Sequence, residues 1–158
     1  MEKFQITKKG YQKLKADLDN LKNVERPNII KQIAAARELG DLKENADYHS
    51  SREKQGFIEA TISDYENKFS CAEVIDISKI SGTKIKFGAT VNLENLNNGK
   101  KVIYKIVSDF ESNIDDGLIS SVSPVARALL GKEVGDEVEV TTPSGVINYE
   151  ILEVKFVE

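Results

Sequence analysis

The chain has 158 residues, 30% of them charged and 40% hydrophobic, so it can form one ordinary domain or two small ones and is too apolar for a disordered chain. Its formal net charge of −4 excludes a general attraction to nucleic acid. A single cysteine excludes an internal disulfide and a cysteine-based zinc site, and suits a reducing cytosol. Because the N-terminus lacks an apolar signal core and no stretch approaches ~18 apolar residues, we expect a cytoplasmic protein without a membrane partner.

The first half of the chain has the spacing of a coiled coil. Thr7 is a good helix N-cap, and after it apolar residues recur at intervals of three and four. The same spacing returns later, so two helices are predicted. Their apolar positions are Tyr11, Leu14, Leu18 and Leu21 in the first helix, and Ile58, Ile62, Tyr65, Phe69, Ala72 and Ile75 in the second.

These helices are predicted to pack antiparallel, because the residue numbers of facing side chains then add to a nearly constant value of about 86. The pairs are Tyr11 with Ile75, Leu14 with Ala72, Leu18 with Phe69, Leu21 with Tyr65, Ile29 with Ile58, and Ile30 with Phe57. The turn is then expected near residue 43, at Asp41-Leu42-Lys43-Glu44, after Gly40. Each arm of roughly 32 residues would be about 48 Å long. Pro27 should kink or locally open the first arm.

Asp41 and Glu44 at this apex have two interpretations. Charged residues at a turn are usually just solvated, and Glu44 also complements the dipole of the helix that follows. Alternatively, the two carboxylates converge on one side of the turn as part of a metal site, which they cannot complete alone. The remaining ligands would then belong to another protein. Asn45 and Asp47 are expected to shape the turn, with a third metal-ligand role for Asp47 as the less favoured alternative, and His49 is expected to be an exposed polar residue.

The second half changes to the alternating pattern of β-strands. DISKISGT (76–83) is predicted to be a linker, and strands are predicted over 89–96, 101–108, 117–120, 137–142 and 146–154. Asn98-Gly99 and Pro143-Ser144-Gly145 mark hairpin turns. One short helix should start after Ser123, with Pro124 in its first turn, and stop at Gly131. The predicted fold class is α+β, with a coiled-coil hairpin over 1–76 and a small β-rich domain over 77–158.

Two long motifs resemble one protein family. AARELGDLKENADYHSSREKQGF (35–57) resembles the tip segment of the bacterial transcript cleavage factors, the Gre family of transcription elongation factors. SPVARALLGKEVGDEVEV (123–140) and the ending GVINYEILEV resemble that family's C-terminal domain. The order of parts also agrees, and HSSREKQGF is most similar to the GreA branch.

The resemblance implies a partner and a reaction. Members of the family bind RNA polymerase, pass their hairpin down its secondary channel, and stimulate hydrolysis of a backtracked RNA 3′ end. Asp41 and Glu44 match the tip carboxylates, which share a Mg²⁺ with the polymerase. Arg37 and Arg52 match positions associated with the extruded RNA, and Tyr48 could stack on a base or pack near the tip.

The resemblance also implies a second polymerase contact. The C-terminal domain, similar in fold to FKBP-type prolyl isomerases, would grip a coiled coil on the large subunit. Ser123, Pro124 and Arg127 fall in the segment that makes this grip. Some members have an acidic residue before the Ser-Pro pair, where this chain has Val122. A monomer that is not itself an enzyme is expected.

Other functions were weighed against this interpretation. A Gre-like inhibitor of the same channel would carry a more heavily acidic tip than Asp41 and Glu44 provide. A coiled-coil chaperone with prolyl isomerase activity would need an aromatic-lined pocket, whereas the aromatic residues of the second half alternate along strands as core residues do. A free-standing nuclease would need a stronger metal site. Stimulated transcript cleavage is therefore the favoured function.

Overall fold

The computed structural model describes residues 3–158, and these divide into two compact units. One unit comprises residues 11–72, and the other comprises residues 3–10 together with 73–158. This division differs from the predicted one at residue 76, because the first described residues belong with the β-rich part. There Glu111 accepts hydrogen bonds from the Thr7 amide (3.2 Å), the Thr7 hydroxyl and the Ser108 hydroxyl (2.8 Å).

The unit formed by residues 11–72 is the predicted helical hairpin. Its helices are α1 (Lys8–Asn20, whose first residues belong to the other unit), α2 (Arg26–Glu38) and α3 (Ala46–Cys71). The buried core between them consists of Leu18, Ile29, Ile33, Ile58 and Ile62, with Leu21, Tyr48 and Tyr65 packed against it. The antiparallel seam around Ile29 and Ile58 is therefore confirmed. The Thr7 hydroxyl accepts a hydrogen bond from the Gly10 amide (3.0 Å), which confirms the predicted N-cap.

Three predicted pairs of the seam are wrong. Ile30 is 52% exposed and Phe57 69% exposed, whereas Ile29 and Ile58 are buried. Neighbouring helical residues point about 100° apart, so only one of each pair can face the other arm. Ala72 and Ile75 do not face Leu14 and Tyr11 from a helix. Helix α3 ends at Cys71, and both residues lie in a strand. The Tyr11 ring instead stacks on Phe69, with ring centroids 4.6 Å apart.

The first arm opens locally just before Pro27, as predicted. Between α1 and α2 the chain forms one π-helical turn over Leu21–Glu25. The Arg26 amide donates to the Leu21 carbonyl, five residues earlier, instead of to the usual fourth residue. Proline has no amide hydrogen to continue the regular ladder, so the wider turn accommodates it without breaking the arm.

Ion pairs flank the buried seam. Arg26 donates from Nε and from one terminal nitrogen to the two carboxylate oxygens of Glu59, each at 2.8 Å. Lys22 lies 3.2 Å from Glu66. The hydrogen bonds from Arg26 hold the pKa of the Glu59 carboxyl below its usual range. The pairing lies at the solvent-exposed edge of the seam and is compatible with the register that the buried residues set.

The other unit is built on a five-stranded sheet. Its N-terminal strand β1 (Phe4–Thr7) pairs with β2 (Ala72–Ile75) in a separate small sheet. The main strands are β3 (Thr90–Asn95), β4 (Lys101–Val107), β5 (Leu118–Ser120), β6 (Glu137–Thr142) and β7 (Gly145–Lys155), in the order β5-β4-β3-β7-β6. Neighbours are antiparallel except β4 and β5, which are parallel. All five predicted strands are present, and the α+β class is confirmed.

One short helix, α4 (Pro124–Leu129), packs on this sheet, where Ala126 and Leu129 are fully buried. They join a core that runs through β3, β4, β6 and β7. The predicted linker over 76–83 is not simply a linker. Ile77 is only 1% exposed, and a Cβ added to Gly88 would lie 2.8 Å from its Cγ1 atom. The segment is therefore packed into the unit. The sequence did not indicate this burial, because the alternation of apolar and polar residues in the segment is too short.

We predict opposite effects on stability for two alanine substitutions in helices. A Cβ at Gly10 would lie 2.1 Å from Cδ of Glu111, so Glu111 must move and lose its hydrogen bonds to Thr7 and Ser108. Gly10→Ala should lower the free energy of unfolding by about 1–3 kcal/mol. At Gly56 in α3 nothing lies within 4 Å, so Gly56→Ala should raise it by about 0.5–1 kcal/mol. Urea unfolding measures both, and equal stabilities would contradict the packing described.

We also predict that Glu59 stabilises the fold in a pH-dependent way. Because its folded-state pKa is lowered, the stabilisation is complete above the unfolded value of about 4.3 and is lost as the pH falls through the lower folded value. Glu59→Gln should therefore melt at a lower temperature than wild type at pH 7, and the difference should shrink below about pH 4. Glu53→Gln, an exposed carboxylate on the same helix, is the control. A difference that is constant with pH would rule out a contribution from the charge.

Candidate functional site

The hairpin turns at the predicted place. Helix α2 ends at Glu38, and the amides of Leu39 and Gly40 close its last turn on the carbonyls of Ala36 and Arg37. Gly40 has a φ of 127°, which a residue with a side chain rarely adopts, so the predicted role of this glycine in the turn is confirmed. Helix α3 begins at Ala46. The loop between them carries Asp41 and Glu44.

Three carboxylates line one open hollow at this tip. Asp41, Glu44 and Asp47 surround a space of about 360 Å³ together with Leu39, Asn45 and Ala46. All three acids are exposed. The sequence placed Asp41 and Glu44 together, whereas Asp47 was assigned mainly to shaping the turn. Asp47 lies in the first turn of α3, about one helical turn after Glu44, so its side chain reaches the same hollow.

The Asp41 carboxylate is partly committed to the loop. Its Oδ1 atom accepts a hydrogen bond from the Lys43 amide at 2.9 Å, closing a local turn. A carboxylate has a second oxygen, so one ligand position remains available for a cation. Hard oxygen donors suit Mg²⁺, which keeps several waters and takes few protein ligands. Within residues 3–158, no group of three or more His, Cys, Asp or Glu side chains is arranged to hold a metal ion by itself.

Asn45 and His49 connect the tip to the two arms. The Asn45 side chain accepts from the Tyr48 amide at 3.0 Å as the N-cap of α3 and donates to the Ala36 carbonyl of α2. The Nε2 atom of His49 lies 3.2 Å from the Lys43 carbonyl. The sequence indicated that Asn45 shapes the turn. The sequence contained no indication of the His49 contact, because the periodicity of apolar residues does not show where a loop meets a helix.

The residues predicted to approach RNA are distributed around the tip. The Arg37 guanidinium lies over the Tyr48 ring, 5.7 Å from its centroid, so these two are together. Tyr48 is half-buried and packs against the hairpin core, which leaves only part of its ring exposed. Arg52 is exposed farther along α3 and donates to Gln55 at 3.1 Å.

The predicted binding segment of the β-rich unit surrounds the start of α4. The Ser123 hydroxyl donates to the Ser120 carbonyl at 2.7 Å and accepts from the Ala126 amide at 3.3 Å, so it is used within the fold. Val122, Pro124 and Arg127 are exposed beside it. A partner would therefore meet an apolar and cationic surface, which Ser123 holds in place as the helix cap.

Aromatic side chains of the β-rich unit are mostly core residues. Phe87 is 6% and Tyr149 5% exposed, and Tyr104 and Phe156 pack against the same core. Burial and Tyr104 raise the pKa of the Tyr149 hydroxyl. These rings are taken up by packing and are not free to line a substrate pocket, which argues against the prolyl isomerase alternative.

Two family models together match most of the chain. Residues 4–74 match the N-terminal domain of the GreA/GreB transcription elongation factors, and residues 80–156 match the GreA/GreB C-terminal domain. The matches meet close to the division between the two compact units. Across residues 3–158, no helix has the length and apolar character needed to cross a membrane.

Similar individual proteins extend over nearly the whole chain. It is 51% identical over 158 residues to the transcription elongation factor GreA of Haemophilus influenzae, covering 99% of this chain and 100% of the relative. Over 154 residues it is 53% identical to GreA of Rickettsia canadensis, covering 98% and 95%. Among solved structures, the GreA factor homolog 1 of Thermus thermophilus is 28% identical, with a TM-score of 0.45 over 97% of this chain and 99% of that one.

Proposed function

Since the chain belongs to the GreA/GreB family of transcription elongation factors, we propose that it stimulates RNA polymerase to hydrolyse backtracked transcripts. The hairpin enters the secondary channel and brings its tip to the polymerase active centre. A short 3′ fragment of the RNA is released, and the arrested complex resumes synthesis. The protein acts as a monomer and is not an enzyme by itself.

The observation that carries this proposal is the position of the carboxylates. Asp41 and Glu44 lie on an exposed loop at the end of a helical hairpin, where Asp47 joins them around one hollow. A self-sufficient active site would be expected in a more enclosed cavity with more ligands. Carboxylates at the end of a projection instead suit a site that is completed by another molecule.

The chain's own groups would hold a Mg²⁺ jointly with the polymerase. When bound, the ion supplies a Lewis acid and an activated water for phosphodiester hydrolysis. The second oxygen of Asp41 and the carboxylate of Glu44 are the groups of this chain that would hold it. Asp47, in the same hollow, would add negative charge that favours a cation near the other two.

The cations near the tip would contact the RNA. Arg37, which stacks on Tyr48, would place a guanidinium beside the acidic loop without lying in the hollow. Arg52 would reach farther along the extruded strand. Tyr48, held by Arg37 and by the hairpin core, would present only its exposed edge to a base.

The surface at the start of α4 would bind the coiled coil of the polymerase large subunit. Pro124 and Arg127 would make the contact, with Val122 as an apolar neighbour. Ser123 would act mainly by fixing the start of the helix, because its hydroxyl is hydrogen-bonded to Ser120 and Ala126 within the fold. This contact would supply affinity, while the tip would supply the chemistry.

We predict that Asp41→Asn and Glu44→Gln abolish stimulated cleavage. Each substitution keeps the shape of the side chain and removes the charge that a cation needs. The rate of RNA shortening in a backtracked elongation complex with Mg²⁺ should fall at least about 100-fold, because even outer partners of a metal site are typically worth 10- to 100-fold.

The control for the tip variants is Glu53→Gln, an exposed carboxylate on α3 outside the hollow. It should cleave as wild type does, and all three variants should compete equally well for the polymerase. Wild-type cleavage by the Asp41 and Glu44 double variant would rule out the proposed role of the tip. Cutting of naked RNA by the protein alone would rule out its dependence on the polymerase.

We further predict that Arg127→Ala weakens polymerase binding about 5- to 30-fold, as loss of an interface arginine commonly does. At saturating concentrations the cleavage rate should approach that of wild type, because the tip is unchanged. Lys101→Ala removes an exposed cation from β4 and is the matched control. Equal affinity of the Arg127 variant and the control would exclude this surface.

A further inference from the structure

The peptide between Lys43 and Glu44 is held by a histidine from α3. The Lys43 carbonyl lies 3.2 Å from Nε2 of His49, and a carbonyl oxygen carries no proton, so Nε2 must donate. On the other side of the same residue, the Lys43 amide donates to Asp41 at 2.9 Å. Lys43 is thus fixed from both directions, between the two carboxylates of the tip.

Asn45 performs a second task beyond capping α3. Its carbonyl oxygen accepts from the Tyr48 amide, as an N-cap does. Its amide nitrogen donates to the Ala36 carbonyl at the end of α2. One side chain therefore ties the end of the first arm to the beginning of the second, and it does so directly beside Glu44.

The loop has little else to keep it ordered. Leu39 is 72% exposed and Leu42 41% exposed, so burial of its apolar residues contributes little. The acids themselves are exposed as well. An exposed loop that must order when it binds a ligand loses affinity through conformational entropy, and ordering it beforehand avoids that loss.

We propose that Asn45 and His49 are positioning residues that order the tip carboxylates before any partner is met. Asn45 fixes the spacing of the two arms at the loop, and His49 fixes the backbone that carries Glu44. The inference rests on the proposed function of Asp41 and Glu44. Neither Asn45 nor His49 touches the reacting atoms in this role.

The His49 contact can be tested with a pair of variants that differ in one donor. His49→Phe keeps a ring beside Tyr48, whose centroid is 5.6 Å from that of His49, and removes the donor. His49→Gln places an amide donor near the position of Nε2. If His49 acts through its hydrogen bond, the glutamine variant should behave as wild type and the phenylalanine variant should not.

The Asn45 contact needs a variant that keeps the helix cap. Asn45→Ser retains a capping oxygen but is too short to reach the Ala36 carbonyl from α3. Its helix content by circular dichroism should equal that of wild type. Asn67→Ser, on the exposed surface of α3 away from the tip, is the matched control.

Two measurements report on the tip. In the free protein, ¹⁵N relaxation order parameters of the Lys43 and Glu44 amides should fall from about 0.8 in wild type to below about 0.6 in His49→Phe and Asn45→Ser. In the backtracked complex, the Mg²⁺ concentration for half-maximal cleavage should rise about three- to tenfold, as expected for one lost hydrogen bond. Polymerase affinity and the rate at saturating Mg²⁺ should change little.

The outcomes separate this inference from the proposed function. Unchanged order parameters and Mg²⁺ dependence in His49→Phe and Asn45→Ser, with cleavage still lost in Asp41→Asn, would overturn the inference alone. Loss of both readouts in His49→Gln as well as in His49→Phe would overturn the role assigned to the His49 hydrogen bond. Full cleavage without the tip acids would remove the proposed function and the inference with it.

Discussion

The buried seam between α2 and α3 is the interaction on which the tip depends. Ile29 and Ile33 of one helix and Ile58 and Ile62 of the other exclude water between the arms, and this hydrophobic packing fixes their register. Because the register is fixed, the chain has to reverse between Glu38 and Ala46. The acidic loop is placed at the end of the hairpin by apolar residues of the two helices, which lie outside the loop itself.

Side-chain hydrogen bonds then fix the conformation of the loop that the packing has placed. Hydrophobic packing is non-directional, so it can bring two helix ends together without fixing the orientation of the peptides between them. The hydrogen bonds of Asn45 to Ala36 and of His49 to Lys43 have the required directionality. The hairpin thus combines an apolar seam that sets the position of the helix ends with side-chain contacts that set the orientation of the loop.

In the β-rich unit, too, apolar packing sets the position of an element and polar contacts set its orientation. Its sheet and α4 share one apolar core, in which Ala126 and Leu129 hold the helix against the strands. Ser123 then fixes how the helix begins, through its bonds to Ser120 and Ala126. The exposed surface of Pro124 and Arg127 is therefore supported from below by packing and at its edge by a cap. In each unit the candidate functional residues lie near a helix terminus, and side-chain hydrogen bonds fix the geometry of that terminus.

The sequence by itself determined the hairpin, its turning point, the five strands of the main sheet and the capped helix α4, because each rests on short-range periodicity or on local turn chemistry. It also predicted that Asp41 and Glu44 lie together at the turn of the hairpin. Only the tertiary structure decided that Ile30 and Phe57 are exposed, that residues 3–10 belong with the β-rich unit, and that Ile77 is buried. It alone showed Asp47 beside the other acids and His49 on the Lys43 carbonyl. These features depend on which side of a helix faces its neighbour and on contacts between a loop and a helix, and neither follows from the spacing of residues along the chain.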